Sequence, residues 1–431
     1  MLFKPEFNLV EDLRKRGMIH DAFPGTEEAL LQEQIKGYIG FDPTADSLHV
    51  GNLVPVMLLR RLQKAGHIPI VLVGGATGLI GDPSGKSSER NLLSPEQITS
   101  NVSAIQSQLA RFLDFNSKSN PAQIVNNYDW FQNLSFLDFI RNVGKHISVN
   151  YMMAKDSVKN RLETGISFTE FSYQLIQGYD FVHLYRNLGC KLQMGGSDQW
   201  GNITTGTELI RRITGGEAFA LTAPLLTKSD GSKFGKSEGK NIWLDPNKTS
   251  PFQFYQFWLN VADSDAEKLI FIFSDWDFHA IQALVNEHKN EPHLRILQKK
   301  LAQIVTTMVH SESEYLNSVK ASEVLFGNTS QNELLGLGKN LFLDALNGVP
   351  NYSIPIDLLG SDPNITDLLT INAPVFPSKS EARKLIQSGA LRLNKEKCTD
   401  PQEIVNSNHL IFNNCLLVQK GKKNYFLVTF E

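Results

Sequence analysis

Ile68-Pro69-Ile70-Val71-Leu72-Val73-Gly74-Gly75 is a short, apolar, β-branched run ending on paired glycines. That is the pattern of a buried strand entering a loop on the ligand side of a sheet. Residues 53–65, just before it, place apolar side chains at helical spacing, with Pro55 in the first turn, where proline is tolerated, and Gly66 as the stop. Ile39-Gly40-Phe41 reads as the strand before that helix. Strand, helix and strand in succession predict an α/β fold built on a βαβ unit with a parallel sheet, whose ligands gather at the carboxyl ends of the strands.

At 431 residues the chain exceeds one ordinary domain; at roughly 150 residues each, two to four are expected. Hydrophobic content of 41% and charged content of 20% point away from disorder. Apolar runs such as 68–73 fall far short of the roughly 18 residues needed to span a bilayer. Met1-Leu2-Phe3-Lys4-Pro5-Glu6-Phe7 has neither an apolar core nor an Arg-rich, acid-free pattern, so no targeting segment is expected. Cys190, Cys398 and Cys415 are scattered and odd in number, which argues against a disulfide framework and a structural zinc and fits a reducing cytoplasm. The net charge of −3 is unevenly spread: residues 372–431 hold nine Lys or Arg against five Asp or Glu, a net of +4, leaving −7 for the rest. A basic module on an acidic body suggests a polyanion contacted at one end.

Past residue 251 the strand signal stops, and Phe254, Phe257 and Trp258, then Leu294, Leu297 and Leu301, recur at helical spacing. Residues 327–371 mix Asn, Ser, Gly and Pro with short apolar segments and read as a connection with limited structure. The last sixty residues form a compact unit.

Two polar segments together read as a phosphate clamp. Asp42-Pro43-Thr44 leads into His49-Val50-Gly51-Asn52 at the start of the helix over 53–65, and helix amino termini attract phosphate. Taken alone, the pair reads more readily as Asn52 a simple cap and His49 a satisfied loop histidine. The second segment, Lys233-Phe234-Gly235-Lys236-Ser237, presents two lysines in a turn-rich loop without regular structure to pin them, suited to meeting phosphate charge as it develops. A solvated basic loop is the plain alternative.

Three further segments carry polar groups. The glycine-dense run from Gly74 to Lys86 is not a P-loop, since its Gly-Lys-Ser lacks the preceding glycine at the required offset. Asp82 within it could hold an ammonium or form an Asx turn before Pro83. Residues 168–185 read as a helix with Phe168, Phe171, Leu175, Tyr179 and Val182 on its apolar face, and Tyr173, Gln177 and Asp180 in a polar stripe fit to line a pocket. In Gly195-Gly196-Ser197-Asp198-Gln199-Trp200-Gly201-Asn202, glycines permit close approach of a base or ribose, and Asp198 could accept from sugar hydroxyls; a tight strand-to-helix turn is the alternative. Near the carboxyl end, 378–387 reads as a helix bearing Lys379, Arg383 and Lys384, beside strands flanking Lys420-Gly421-Lys422-Lys423, a basic tip suited to structured RNA.

In this order, Tyr38-Ile39-Gly40-Phe41-Asp42-Pro43-Thr44-Ala45-Asp46-Ser47-Leu48-His49, the 74–82 loop, Ile166-Ser167-Phe168-Thr169-Glu170-Phe171-Ser172-Tyr173, the 195–202 segment and Lys-Phe-Gly-Lys-Ser resemble the signatures of class I aminoacyl-tRNA synthetases, and of the bacterial-type tyrosyl-tRNA synthetases in particular. The resemblance covers essentially the whole chain. It implies a Rossmann-like, doubly wound catalytic domain over 1–227, a mobile lysine loop over 228–250, a helical anticodon-side domain over 251–330, a linker over 331–352, and over 353–431 an RNA-binding domain like that of a small-subunit ribosomal protein. It implies that tyrosine and ATP, with Mg2+, give tyrosyl-adenylate and pyrophosphate, and that the tyrosyl group then passes to the terminal adenosine of tRNA(Tyr). A cytoplasmic homodimer with no membrane contact and no tightly bound cofactor is implied too.

By motif, Tyr38 and Asp180 would bond the substrate phenol, with Asn127 and Gln193 nearby, and Asp82, Tyr173 and Gln177 would hold its ammonium. Gly40, Asp42, Gly51, Gly196, Asp198 and Gln199 would line the nucleotide site with Phe234, Gly235 and Ser237. Thr44, His49 and Asn52 would meet the phosphates, and Lys86, Arg90, Lys233 and Lys236 the departing pyrophosphate. Arg211 and Arg212 match positions facing the tRNA acceptor stem; Lys379, Arg383, Lys384, Lys420, Lys422 and Lys423 would serve the same RNA. One departure is that Asn52 stands where the family's first motif ends in histidine. The tryptophanyl sister enzymes are the near rival; Tyr38, Asp180 and the C-terminal module favour tyrosine. A catalytically silent RNA-binding relative is the distant one, and Asp82, Asp198, Lys233 and Lys236 speak against it.

Overall fold

The computed structural model describes residues 3–82, 84, 93–159, 165–229, 231–232, 234–237, 240–327, 330–347, 349–421 and 424–431, with 157, 236, 237 and 240 described by backbone alone. Two compact units emerge: 1–249 with 257–309, and 250–256 with 310–431.

The first unit is built on six strands: β1 (Asp21–Ala22), β2 (Lys36–Phe41), β3 (Ile68–Val73), β4 (Gln123–Asn126), β5 (Cys190–Gly196) and β6 (Phe219–Ala223). They lie in the order β1-β6-β5-β2-β3-β4, with only β1 antiparallel to its neighbour. Renumbered in chain order, the parallel strands β2 to β6 run 3-2-1-4-5 across the sheet, the doubly wound order, with its reversal between β2 and β5. β3 occupies the residues the sequence indicates, and its Ile70, Val71 and Val73 are fully buried. The helix Leu53–Lys64 crosses from β2 to β3 and turns Leu58, Leu59 and Leu62 wholly inward; each such leucine contributes roughly 1.5–3 kcal/mol through burial.

The helix Phe168–Leu188 runs three residues beyond its expected end. Ser167 caps its start by accepting from the Glu170 N–H, and Gly189, at φ 66°, ends it in the left-handed conformation. One expectation for its apolar face fails: Phe168 is 68% exposed, because the first helical position has not yet turned toward the sheet, whereas Leu175 and Val182 are buried.

Residues 251–330 are helical as expected, yet contacts divide them. Asp263–Phe273, Phe278–Asn290 and Ile296–Val309 group with the first unit and Glu312–Phe326 with the second. The expected linker over 331–352 contains the helices Gln331–Leu335 and Lys339–Ala345, and buries Leu334 and Phe342 among Val324, Leu417 and Leu427. The carboxyl-terminal sheet also begins before residue 353: Asn351–Ile354 pairs parallel to Asn424–Phe430. The rest of that five-stranded sheet comprises Leu391–Leu393, Glu396–Cys398 and Cys415–Lys420, with the helix Lys379–Gln387 packed over it through Ala382 and Ile386. Among the described residues no helix is long and apolar enough to cross a membrane.

Candidate active site

A cavity of about 860 Å³ opens at the carboxyl ends of β2 and β5, where the strand order reverses. Its lining includes Tyr38, Gly40, Asp42, Thr44, His49, Gly51, Asn52, Asp82, Tyr173, Gln177, Asp180, Gln193, Gly196, Asp198, Gln199, Phe234 and Gly235. These residues come from sequence segments up to two hundred positions apart, and the sheet gathers them at one edge.

One end of the cavity is deeply buried. Tyr38, Asp180 and Gln193 are each 1% exposed. The Asp180 carboxylate accepts from Trp130 Nε1–H at 2.9 Å and from Asn127 Nδ2–H at 3.1 Å. Burial pushes its pKa well above the ordinary carboxylate value, and those two donors work against the rise. The Tyr38 hydroxyl and Gln193 Oε1 are buried with no hydrogen-bond partner in the structure. Both belong to residues that line the cavity beside Asp180. Asn127, expected near the phenol site, stands behind the lining: its Oδ1 accepts from the Ala76 N–H at 2.7 Å and its amide donates to Asp180 Oδ2.

Midway, Asp42 accepts from the Tyr173 hydroxyl at 2.8 Å and from Thr77 Oγ1–H at 2.7 Å. Burial and the Asp42 carboxylate hold the Tyr173 phenol well above its usual pKa, so it stays protonated and donating. Gly74 lies against this pair; a Cβ there would stand 2.3 Å from Asp42 Oδ1 and 2.2 Å from Thr77 Oγ1, so only glycine fits. Asp82 forms the turn that the sequence allowed and also faces the cavity. Its Oδ1 accepts from the Ser84 N–H at 2.9 Å in a local turn, and its Oδ2 accepts from Gln199 Nε2–H at 2.7 Å inside the cavity. Asn202 extends the chain of amides by donating to Gln177 Oε1 at 3.0 Å and Gln199 Oε1 at 3.3 Å.

At the open end, His49 and Asn52 form a reciprocal capping box at the single turn Val50–Asn52. The Gly51 N–H donates to His49 Nδ1 at 3.0 Å, and the His49 N–H to Asn52 Oδ1 at 3.0 Å. His49 is therefore the cap and Asn52 its partner, which adjusts the expectation that Asn52 caps. With Nδ1 accepting, Nε2 is the ring nitrogen able to carry a proton. Trp243 meets the His49 ring edge-on at 6.1 Å.

The lysine loop differs from its expected irregularity. Lys236–Ser237 pairs with Lys240–Asn241 as a short antiparallel ladder, and Phe234 is buried against Phe257 and Trp258. Gly235 has φ 88°, and its Cβ would meet the Gly51 N at 3.1 Å. The two clamp segments are thus adjacent: Ile242 N–H donates to Gly235 O, and Val50 N–H to Ile242 O. Lys86, Arg90 and Lys233 lie outside the described residues, as do the side chains of Lys236 and Ser237.

The basic residues expected to meet RNA are more engaged than their charge suggests. Arg211 and Arg212 both bond Glu208, and hold its pKa down to about 2. Lys379 pairs with Asp367 at 2.6 Å and Lys420 with Glu381 at 2.8 Å. Arg383 and Lys384 are exposed, and Lys422 and Lys423 lie outside the described residues. Sequence reasoning missed Thr77, Trp130 and Asn202, whose importance lies in partners 25 to 50 positions away.

The family model "tRNA synthetases class I (W and Y)" matches residues 30–327, and "Tyrosine--tRNA ligase SYY-like C-terminal domain" matches 342–428. The chain is 58% identical to a tyrosine–tRNA ligase of Bacteroides fragilis over 426 residues, covering 98% of this chain and 99% of that one. It is 58% identical to that of Cytophaga hutchinsonii, covering 98% and 100%. Among solved structures, a C-terminally truncated mitochondrial tyrosyl-tRNA synthetase of Aspergillus nidulans aligns with a TM-score of 0.67 at 30% identity, over 74% of this chain and 94% of that one.

Proposed function

Because this chain belongs to the tyrosine–tRNA ligases, class I synthetases of the tryptophan and tyrosine group, we propose that its cavity seats L-tyrosine with the phenol at Tyr38 and Asp180. The ammonium then meets Asp82, Tyr173 and Gln177. ATP lies along Gly40, Asp42, Gly51, Gly196, Asp198 and Gln199, with its phosphates toward Thr44, His49 and Asn52.

In adenylate formation, a carboxylate oxygen of tyrosine attacks the α-phosphorus, the new O–P bond forms, and the bond to the β-phosphate oxygen breaks to release pyrophosphate. The substrate carboxylate is ionised near neutral pH and needs no general base, so positioning and charge stabilisation are what the chain supplies. Asp180 and Tyr38 fix the ring, and Asp42 holds the Tyr173 hydroxyl in place. His49 Nε2–H and the Asn52 amide donate to phosphate oxygens, and Lys86, Arg90, Lys233 and Lys236 stabilise the leaving pyrophosphate. Magnesium arrives with the ATP phosphates as part of the substrate; no group of three or more ligating side chains suited to a resident metal is present among the described residues.

The tyrosyl group then passes to the terminal adenosine of tRNA(Tyr). We assign catalysis to 1–227, anticodon-side contacts to 251–330, and RNA binding to the carboxyl-terminal module through Lys379, Arg383, Lys384, Lys420, Lys422 and Lys423, with Arg211 and Arg212 toward the acceptor stem. The exposed Phe136, Leu137, Ile140, Val149 and Met153 support a homodimer, and three free cysteines, all buried, fit the cytoplasm.

The observation that carries this reading is the unpaired Tyr38 hydroxyl beside Asp180 at the buried end. ATP–pyrophosphate exchange with each amino acid in turn tests it: exchange with tyrosine alone is expected, and exchange with tryptophan in its place would overturn it.

A further inference from the structure

We propose that Asp265 is a positioning residue for adenylate formation, its buried carboxylate holding the arm of the lysine loop that leads to Phe234 and Gly235. The Ser229 N–H donates to Asp265 Oδ1 at 2.9 Å, and Asp265 is only 6% exposed. It stands in the first turn of the helix Asp263–Phe273, where the helix dipole favours negative charge. The bond to Ser229 reaches 36 positions back along the chain, so it fixes a loop on the helix instead of capping the helix itself.

The loop is closed on its own account. Lys228 N–H donates to Ser232 O at 2.8 Å, Gly231 N–H to Lys228 O at 2.9 Å, and Phe234 N–H to Leu226 O at 3.3 Å. These bonds tie 226, 228, 231, 232 and 234 to one another, so the placement of the segment depends on what holds it from outside. Among the described residues, two contacts tie it toward the helix Asp263–Phe273. One is Asp265 on Ser229; the other is the Phe234 ring, 5.6 Å from Trp258, whose own ring lies 5.1 Å from Phe273 at the far end of the same helix. Both ends of Asp263–Phe273 therefore bear on the loop. The ring contact anchors the side chain of Phe234, whereas the hydrogen bond at Ser229 fixes the register of the backbone. Beyond Phe234 the chain reaches Gly235, tied to Val50 through Ile242. A shift at Ser229 is therefore transmitted toward the phosphate end of the cavity. The catalytic consequence rests on the reading that Lys233 and Lys236 act on pyrophosphate.

The test compares D265A, D265N and S229P with the unaltered enzyme. D265N keeps an oxygen able to accept from Ser229, D265A does not, and S229P removes the donor at an exposed position, away from the core. Two readouts are taken: the rate of tryptic cleavage within 226–240, and kcat with the KM for tyrosine in ATP–pyrophosphate exchange. The expected result is faster cleavage and a kcat lowered about tenfold in D265A and S229P, the scale of one lost hydrogen bond to a charged group, with an unchanged tyrosine KM and near-normal D265N. Unchanged cleavage in both D265A and S229P would overturn the proposal, as would a fall confined to tyrosine KM. K233A and K236A are assayed alongside. If they leave exchange intact, the reading of the lysines fails, and the cleavage rates still decide whether Asp265 holds the loop.

Discussion

Trp130 donates its indole N–H to Asp180 Oδ1 at 2.9 Å while stacking on His183 at 4.3 Å and 13°. The indole is thereby fixed in plane and in direction, and it holds one carboxylate oxygen while Asn127 holds the other. A carboxylate this deeply buried depends on such donors to stay oriented.

Replacing Trp130 by Phe keeps most of the stacking area and removes the donor. We expect the KM for tyrosine to rise about tenfold, in line with one hydrogen bond to a charged group, with the KM for ATP within a factor of about two. Steady-state exchange kinetics measured against each substrate check this.

The reciprocal bonds between His49 and Asn52 predict a graded series at position 52. N52A removes the acceptor for the His49 N–H and should lower stability by about 1 kcal/mol, the usual worth of a cap, while slowing activation. N52H retains a ring nitrogen able to accept and should stay near the unaltered rate. Urea midpoints and single-turnover adenylate formation separate the two effects; equal rates for N52A and N52H would deny the box a role in catalysis.

His67 sets a pH dependence of stability. It is wholly buried, its Nδ1 accepts from the Ile35 N–H at 3.2 Å, and burial lowers its pKa from 6.5 to about 4. The unfolded chain therefore binds a proton near pH 6.5 that the folded chain refuses until about pH 4. Its contribution is complete above pH 6.5 and declines as pH falls toward 4, by up to about 3 kcal/mol. Denaturation midpoints for H67Q should show a flatter profile across that window than the unaltered chain.

Charge reversal of Arg383 and Lys384, both exposed on the helix Lys379–Gln387, should leave ATP–pyrophosphate exchange unchanged and weaken tRNA charging. The loss should shrink as salt rises, because counterion release is what those charges supply. A variant that charges tRNA normally at low salt would move the RNA contact elsewhere.

Much of this was legible in the chain because local pattern and tertiary role coincide. The run 68–73 is apolar throughout and forms a strand buried from Pro69 onward. Tyr173, Gln177 and Asp180 share a stripe because the helix repeat puts them there, and all three line the cavity. What escaped notice depends on contacts that no window contains. Trp130 sits in the four-residue helix Tyr128–Phe131, too short to show a period, and matters through Asp180, fifty positions on. Leu334 and Phe342 looked like parts of a connection, since their apolar segments are brief; distant residues bury them. The two-residue ladder at Lys236–Ser237 lies below the length at which alternation can be seen.

The claim that Tyr38 and Asp180 select the phenol is tested most directly by Y38F, which removes one hydroxyl from a fully buried ring packed on Phe181 at 5.3 Å. The quantity to measure is kcat/KM in ATP–pyrophosphate exchange for tyrosine and for phenylalanine. The expected result is a loss of about tenfold or more for tyrosine with phenylalanine little changed, so that discrimination falls. Equal losses for both amino acids, leaving their ratio intact, would contradict the assignment.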